Sequence, residues 1–257
     1  MSFERAIRLR ELSAFAQRLP AEGRILEVGA GAGWQSEAVS ERGASVFSVD
    51  LPTSSYRTQQ STPIIQYDGR CLPFRDGVFQ AVYSSNVLEH VVDQEALQAE
   101  IHRVLAPGGL AVHLMPSASW RFWTILTHYP FLVKHVFLKL IRWPREGGEG
   151  TRLDRAIERR GWRSLAGRYV FPERHGETGR VLTETYYFSR LHWRRKLTGL
   201  GWRVSEVYPT RLFYTGYNIL DRLIPLGLRS ALSYFLGSSC LVYVLRDVQP
   251  EDRPCAG

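Results

Sequence analysis

Apolar positions in the first half of the chain fall into short runs bounded by glycine, proline and acids. Ile25, Leu26 and Val28 form one such run, which ends in glycines at alternate positions, Gly29, Gly31 and Gly33. Others are Ser45–Val49, ending at Asp50; Ile64–Tyr67, ending at Asp68 and Gly69; and Phe79–Tyr83, followed by Ser84 and Ser85. Runs this short, flanked by turn residues, predict buried strands. Helical segments separate them. One opens at Trp34, and another covers about Gln94–Leu105, ahead of a Pro107-Gly108-Gly109 turn and a fifth strand, Leu110–Leu114. The pattern resumes with a helix from about Ser189, a strand over Gly201–Val207 and a terminal strand over Ser239–Arg246. A charged amphipathic segment, Phe3 to Leu19, predicts an N-terminal helix. Strands alternating with helices predict an α/β fold on a parallel, doubly wound sheet.

The glycine turn narrows the chemistry. Glycine lets a chain turn tightly and bring its backbone close to a ligand, and the helix that follows offers unpaired N–H groups to it. A dinucleotide-binding turn has its third glycine at the sixth position. Counted from Gly29, that place is held by Trp34, too large for the approach, which argues against a nicotinamide-dependent oxidoreductase. The third glycine stands one place earlier, and an acid, Glu27, precedes the turn. Asp50, at a strand tip about 20 residues on, is placed to accept hydrogen bonds from both hydroxyls of a ribose.

This series resembles the class I S-adenosylmethionine-dependent methyltransferases, in the small-molecule branch that methylates quinones, sterols, sugars and natural products. The likeness covers residues 20–116 and resumes over 189–208 and 238–247. It implies a Rossmann-like, seven-stranded, mostly parallel sheet with helices on both faces and an antiparallel edge. It also implies S-adenosylmethionine as cofactor. On that resemblance Gly29, Gly31 and Gly33 would surround the methionine end, and Glu27 would orient the turn or reach the amino group through water. Asp50 would hold the ribose, with Leu51 against the adenine. Asp68 would accept from the adenine amino group, and the Gly69 backbone would donate to a ring nitrogen. Ser85, just beyond the fourth strand, would offer its carbonyl to the cofactor ammonium, and His90 would lie close to the cofactor.

Residues 1–19 and two insertions, 117–188 and 209–237, complete a single domain. Residues 120–143 are aromatic and leucine-rich; Pro130 is expected to end one helix and start another, with Lys134, Lys139 and Arg142 as a polar stripe. In residues 212–236, Pro225 and Gly227 are expected to separate two short helices. Together the insertions either wall a pocket for a partly apolar acceptor or touch a bilayer. The first, as a lid packed on the sheet, is the simpler reading. Thr151–Trp162 reads as a short basic helix carrying Arg152, Arg155, Arg159 and Arg160, a solvated face or a phosphate or membrane patch.

Charge divides the chain. Residues 1–115 hold 10 basic and 13 acidic residues, net −3, and residues 116–257 hold 23 and 12, net +11. Only three of the 33 basic residues are lysine, a bias that suits phosphate or carboxylate partners and equally a GC-rich genome. Cys71, Cys240 and Cys255 make neither a metal pattern nor a disulfide framework, so a reducing cytoplasm is expected. The N-terminal helix is not an apolar leader, and no run of 18 uninterrupted apolar residues occurs, so no spanning helix is expected.

Nucleic acid is not expected as a partner. Base-amino methylators carry Asn/Asp-Pro-Pro-aromatic after the fourth strand, where this chain reads Ser84-Ser85-Asn86-Val87, and its one Pro-Cys pair, Pro254-Cys255, lies in the tail. A non-catalytic module on the same fold is the other alternative, against which the intact glycines and acids weigh. The expected acceptor is small or amphipathic: a hydroxyl of a lipid-like, lipid-linked glycan, quinone or natural-product scaffold. A hydroxyl must lose its proton, commonly to His or a carboxylate. His175, in a polar loop beside Glu177, is the first candidate for that base and His90 the second. His102 and His192 read as packing, His113 as a core residue and His135 as surface or lid. Tyr186 and Tyr187 read as packing or as groups that orient the acceptor hydroxyl.

Overall fold

Near-continuous apolar strands are what a sheet covered on both faces requires, and the computed structural model has that sheet. It describes residues 2–56, 58–142, 172, 174–217 and 223–247. Helix α1 (Phe3–Phe15) starts at Ser2, whose hydroxyl accepts from the Arg5 N–H, and ends in a 3₁₀ turn, Ala16–Arg18. Strand β1 (Arg24–Val28), helix α2 (Trp34–Ser40), β2 (Ser45–Asp50), the short β3 (Ile65–Gln66) and β4 (Phe79–Ser85) follow. Then come α3 (Gln94–Val104), capped by the Asp93 carboxylate, and β5 (Leu105–Pro116). The long α4 (Ala118–Arg142), a one-turn α5 (Glu184–Tyr187), α6 (Arg190–Gly199), β6 (Trp202–Pro209), α7 (Leu226–Leu236) and β7 (Cys240–Asp247) complete the described chain.

Strand order is β3-β2-β1-β4-β5-β7-β6. Neighbours pair in parallel from β3 to β5, and β7 runs antiparallel between β5 and β6. Ile25 of β1 aligns with Val46 on one side and Ala81 on the other. One core layer gathers Leu26, Val28, Val82 and Leu245 with Trp193, Leu197 and Trp202, and the opposite layer gathers Ile25, Tyr83, Val112 and Val244 with Leu12 and Phe15 of α1. The alternation of strand side chains sends each to one layer or the other.

Four expectations need correction. The third strand pairs only over Ile65–Gln66; at the sheet edge both residues are exposed, so little packing extends it. The Pro107-Gly108-Gly109 turn lies within β5 as an irregularity, where the pairing steps from Leu105 opposite Phe79 to Leu110 opposite Ala81. Pro130 sits inside α4 and does not divide it. The carbonyl it leaves without an intrahelical donor belongs to Leu126, on the exposed side of the helix, where solvent can satisfy it. Gly227 lies in the first turn of α7 after Pro225 as cap, so it breaks nothing.

The inserted helices are turned polar side in. Along α4, Arg121, Thr124 and His128 are buried while Phe122, Leu126, Tyr129 and Val133 are exposed. In α7, Arg229 and Ser233 are buried while Leu228, Tyr234 and Phe235 are exposed. The two helices meet where the Trp123 indole donates to the Leu236 carbonyl at 2.9 Å. Among the described residues, no helix is long and apolar enough to cross a membrane. The expected basic helix at Thr151–Trp162 and the side chains of His135, Lys139 and Arg142 lie outside the described residues.

Candidate active site

The first cleft opens where β1 gives way to α2. Gly29, Gly31 and Gly33 all take left-handed backbone angles, with φ of 75°, 57° and 79°. A methyl on Gly29 would overlap Val87, and one on Gly33 would overlap the Thr62 hydroxyl. At the tip of β2, Asp50 is fixed through both carboxylate oxygens: the Gly31 N–H donates to Oδ2 at 2.9 Å and the Leu51 N–H to Oδ1 at 2.8 Å. Its remaining lone pairs face a cleft of about 820 Å³. Gly29, Gly31, Asp50, Leu51, Asp68, Gly69, Ser85, His90 and His175 all line that cleft.

Two expected residues stand behind it. Gly33 caps α2 and packs on the loop at Thr62. Glu27 is buried beneath the turn with the Ser48 hydroxyl donating to it at 3.3 Å, and burial pushes its carboxyl up to about 8. Asp68 is exposed and already engaged: the Arg70 and Cys71 N–H groups donate to its Oδ1 at 2.8 and 3.0 Å, which holds its carboxyl below the usual range. Ser85 is the last residue of β4 and not a residue beyond it.

A second cavity, of about 690 Å³, adjoins the first. Its walls come from α1, α4 and residues 214–217, with Phe3, Phe131 and Tyr217 among its aromatic groups. Arg8, Trp120, His175 and Tyr214 line both cavities. His175 therefore stands at their seam, its ring centroid 4.6 Å from that of Trp120 and 4.9 Å from that of His90. Burial pushes the His175 imidazole down to about 4 and lowers that of His90, which favours the uncharged form of each ring.

A buried ion pair fixes the His175 loop. Glu184 Oε1 accepts from the backbone N–H of His175 and Gly176 at 2.9 and 2.8 Å. Its Oε2 lies 2.7 Å from the Arg121 guanidinium, and neither side chain reaches solvent. From the other side, the Glu177 N–H donates to the Glu89 carbonyl at 2.9 Å. Opposite, Arg8 pairs with buried Glu11 at 2.9 Å, and the Tyr214 hydroxyl donates to that carboxylate at 2.5 Å.

Residues 26–113 match the model of a family described as a methyltransferase domain. A protein of Mycobacterium sp. (strain KMS), named an uncharacterized methyltransferase, is 35% identical over 131 residues, covering 45% of this chain and 49% of that one. A ubiquinone biosynthesis O-methyltransferase of Chromobacterium violaceum is 33% identical over 95 residues, 34% of this chain and 41% of that one. The solved S-adenosylmethionine-dependent methyltransferase of Mesorhizobium loti matches the fold with a TM-score of 0.51 at 19% identity, over 92% of this chain and 97% of that one. Residues 26–113 thus carry a methyltransferase domain, on a fold shared with the S-adenosylmethionine-dependent methyltransferases. The chain spans about half the length of the curated relatives it matches.

The groups at hand in the glycine cleft would fit S-adenosylmethionine. A left-handed glycine turn clears the approach to the backbone, and a carboxylate braced by two backbone N–H groups keeps acceptor capacity for a diol. The other histidines sort by packing. His102 stacks on Trp202 at 3.8 Å and lies 3.3 Å from Asp247. His113 is buried in β5 against the Ser84 hydroxyl at 2.8 Å, and His192 packs on Tyr186 and Tyr187. Those two tyrosines line neither cavity. Sequence reasoning missed Glu89, Arg121, His128 and Glu184. His128 lines the second cavity and meets the Tyr217 hydroxyl at 2.8 Å. Glu89 is buried beside both site histidines. Its adjacency to His90 was the one available signal.

Proposed function

We propose that this protein transfers a methyl group from S-adenosylmethionine, held in the glycine cleft, to a hydroxyl of a small or amphipathic acceptor held in the adjoining cavity. The observation that carries this reading is the seam: two cavities share His175 and Trp120, so a donor in one and an acceptor in the other meet there. When bound, S-adenosylmethionine supplies a methyl already activated by a positive sulfur. The protein's task is then alignment and handling of the acceptor's proton. Asp50 binds the ribose diol, Leu51 and Gly69 flank the base, and Asp68 offers it Oδ2. The Ser85 carbonyl and the glycine turn receive the methionine end, with Glu27 supporting the turn from below. His175, and His90 beside it, act on the acceptor hydroxyl. Aromatic walls at Phe3, Phe131 and Tyr217 favour a ring or prenyl-like body. The relative named for ubiquinone biosynthesis supports a quinol-type acceptor as the first to try. The apolar outer faces of α4 and α7 would rest on a membrane surface from which such an acceptor is drawn.

Calorimetry with S-adenosylhomocysteine and transfer of labelled methyl to a panel of quinols test the reading together. Asp50→Ala should weaken cofactor binding by about 100-fold or more, since it removes charge-assisted bonds of roughly 1.5–3 kcal/mol each. Near-normal affinity in that variant would show the ribose to lie elsewhere.

A further inference from the structure

At the seam, Glu89, His90 and His175 each bring one ligand atom within 4.8 Å of the others. Glu89 is 3% exposed, and neither of its carboxylate oxygens has a hydrogen-bond partner. Its nearest basic neighbour is His90, with Nε2 at 3.8 Å from Oε1. The nearby arginines are matched elsewhere, Arg8 to Glu11 and Arg121 to Glu184. Glu89 is thus the carboxylate left over, and a buried acid without a partner is costly. A proton would relieve that cost, but two imidazoles converging on the same point provide a ligand set. Two histidine nitrogens and one carboxylate oxygen are what open zinc and non-haem iron sites use, with positions left for a substrate oxygen.

We propose that Glu89, His90 and His175 hold a divalent transition-metal cation that binds the acceptor's oxygen. The inference rests on the methyltransferase reading and deepens it. The 3.8 Å between His90 Nε2 and Glu89 Oε1 exceeds the roughly 3–3.5 Å between atoms that share a cation at about 2.1 Å, so these ligands draw in as the metal enters. The half-exposed His90 is free to swing, while His175 is held by its backbone bonds to Glu184. A hydroxyl on such a cation releases its proton to solvent near neutral pH. The histidines then act through the cation and take no proton themselves. Acceptors with a hydroxyl beside a second oxygen are favoured, since both can bind. The site escapes a reading of cysteine and histidine spacing because His175 lies within the first insertion, 85 residues after His90.

The test titrates Co²⁺ into the full-length, chelator-treated chain, followed by its visible d–d absorption and by calorimetry, with S-adenosylhomocysteine binding measured on the same samples. One saturable Co²⁺ per chain is expected. Glu89→Gln and His90→Ala should each lower its affinity by about 100-fold or more, and Glu89→Gln, whose residue does not line the cofactor cleft, should leave S-adenosylhomocysteine affinity within a few-fold. Glu89→Gln keeps the buried shape, and His90→Ala changes a half-exposed side chain, so the second variant decides if the first fails to fold. No saturable site, or variants that bind as the parent does, would overturn the proposal. If S-adenosylhomocysteine still binds in that case, the metal site alone falls. If the parent chain binds no S-adenosylhomocysteine, the methyltransferase reading falls with it.

Discussion

Glu27 sits beneath the glycine turn as a neutral acid. Burial raises its carboxyl from an ordinary value of 4.5 to about 8. Between those values the folded chain keeps a proton that the unfolded chain has released. Its contribution to stability is therefore whole below about pH 4.5, falls as pH rises through the window, and is lost above about pH 8. Glu27→Gln keeps the shape and removes the titration. In thermal melts without cofactor, parent and variant should agree near pH 5, and the variant should melt higher at pH 9, by roughly 5 °C. Matching profiles across the range would show the carboxyl to be unperturbed. The glycines allow a second test by contrast. Gly29→Ala adds a left-handed alanine and an overlap with Val87, whereas Gly31→Ala meets only the edge of Tyr56 at 3.4 Å. The first should cost about 3 kcal/mol in urea unfolding and the second about 1–2 kcal/mol. Equal losses would mean that Val87 yields without penalty.

At the scale of elements, the sequence was most legible where local rules and tertiary packing agree. The run into Gly29 and the acid at Asp50 were readable because a strand buried on both faces must be apolar and a turn with positive φ must be glycine. The caps at Ser2, Asp93 and Ser189 follow from the same local chemistry. Pro130 was misleading because its effect depends on which way the freed carbonyl faces, a property of the packed helix. Glu184 and Arg121 were invisible because they belong to separate elements, α5 and α4, and meet only after folding. Their pairing has a measurable consequence. Glu184→Gln keeps an oxygen for the His175 and Gly176 N–H groups but removes the carboxylate from a buried guanidinium. Breaking such a pair costs about 3–5 kcal/mol, so unfolding in urea should move by that amount. A change under 1 kcal/mol would place the pair in solvent. Glu184→Ala should lose methyl transfer more severely than Glu184→Gln, because it also frees the His175 loop.

Across the whole molecule, the two insertions reverse the usual arrangement of surface helices. Polar Arg121, Thr124, His128, Arg229 and Ser233 face inward, while Phe122, Leu126, Val133 (69% exposed), Leu228 and Phe235 (88% exposed) face outward. A helix in water normally does the opposite. Of the inward set, Arg121, Thr124 and His128 line the second cavity, and Arg229 ties α7 to the body of the protein by donating to the Phe213 carbonyl as well as to that of Ile224. The outward set awaits an apolar surround. Cations border it, Lys134 next to Val133 and Arg211 over the Tyr234 ring at 4.4 Å, in the half of the chain that carries net +11. Apolar side chains edged by cations fit an anionic lipid surface. The full-length chain should therefore co-sediment with vesicles containing phosphatidylglycerol, less with purely zwitterionic ones, and less at high salt. Each large apolar side chain withdrawn from water contributes about 1.5–3 kcal/mol, so Val133→Ser with Phe235→Ser should lower partitioning by roughly 100-fold. Both residues lie outside the cofactor cleft, so S-adenosylhomocysteine affinity should not change. A parent chain that ignores anionic vesicles, or a double variant that binds them equally well, would assign this face to something other than lipid.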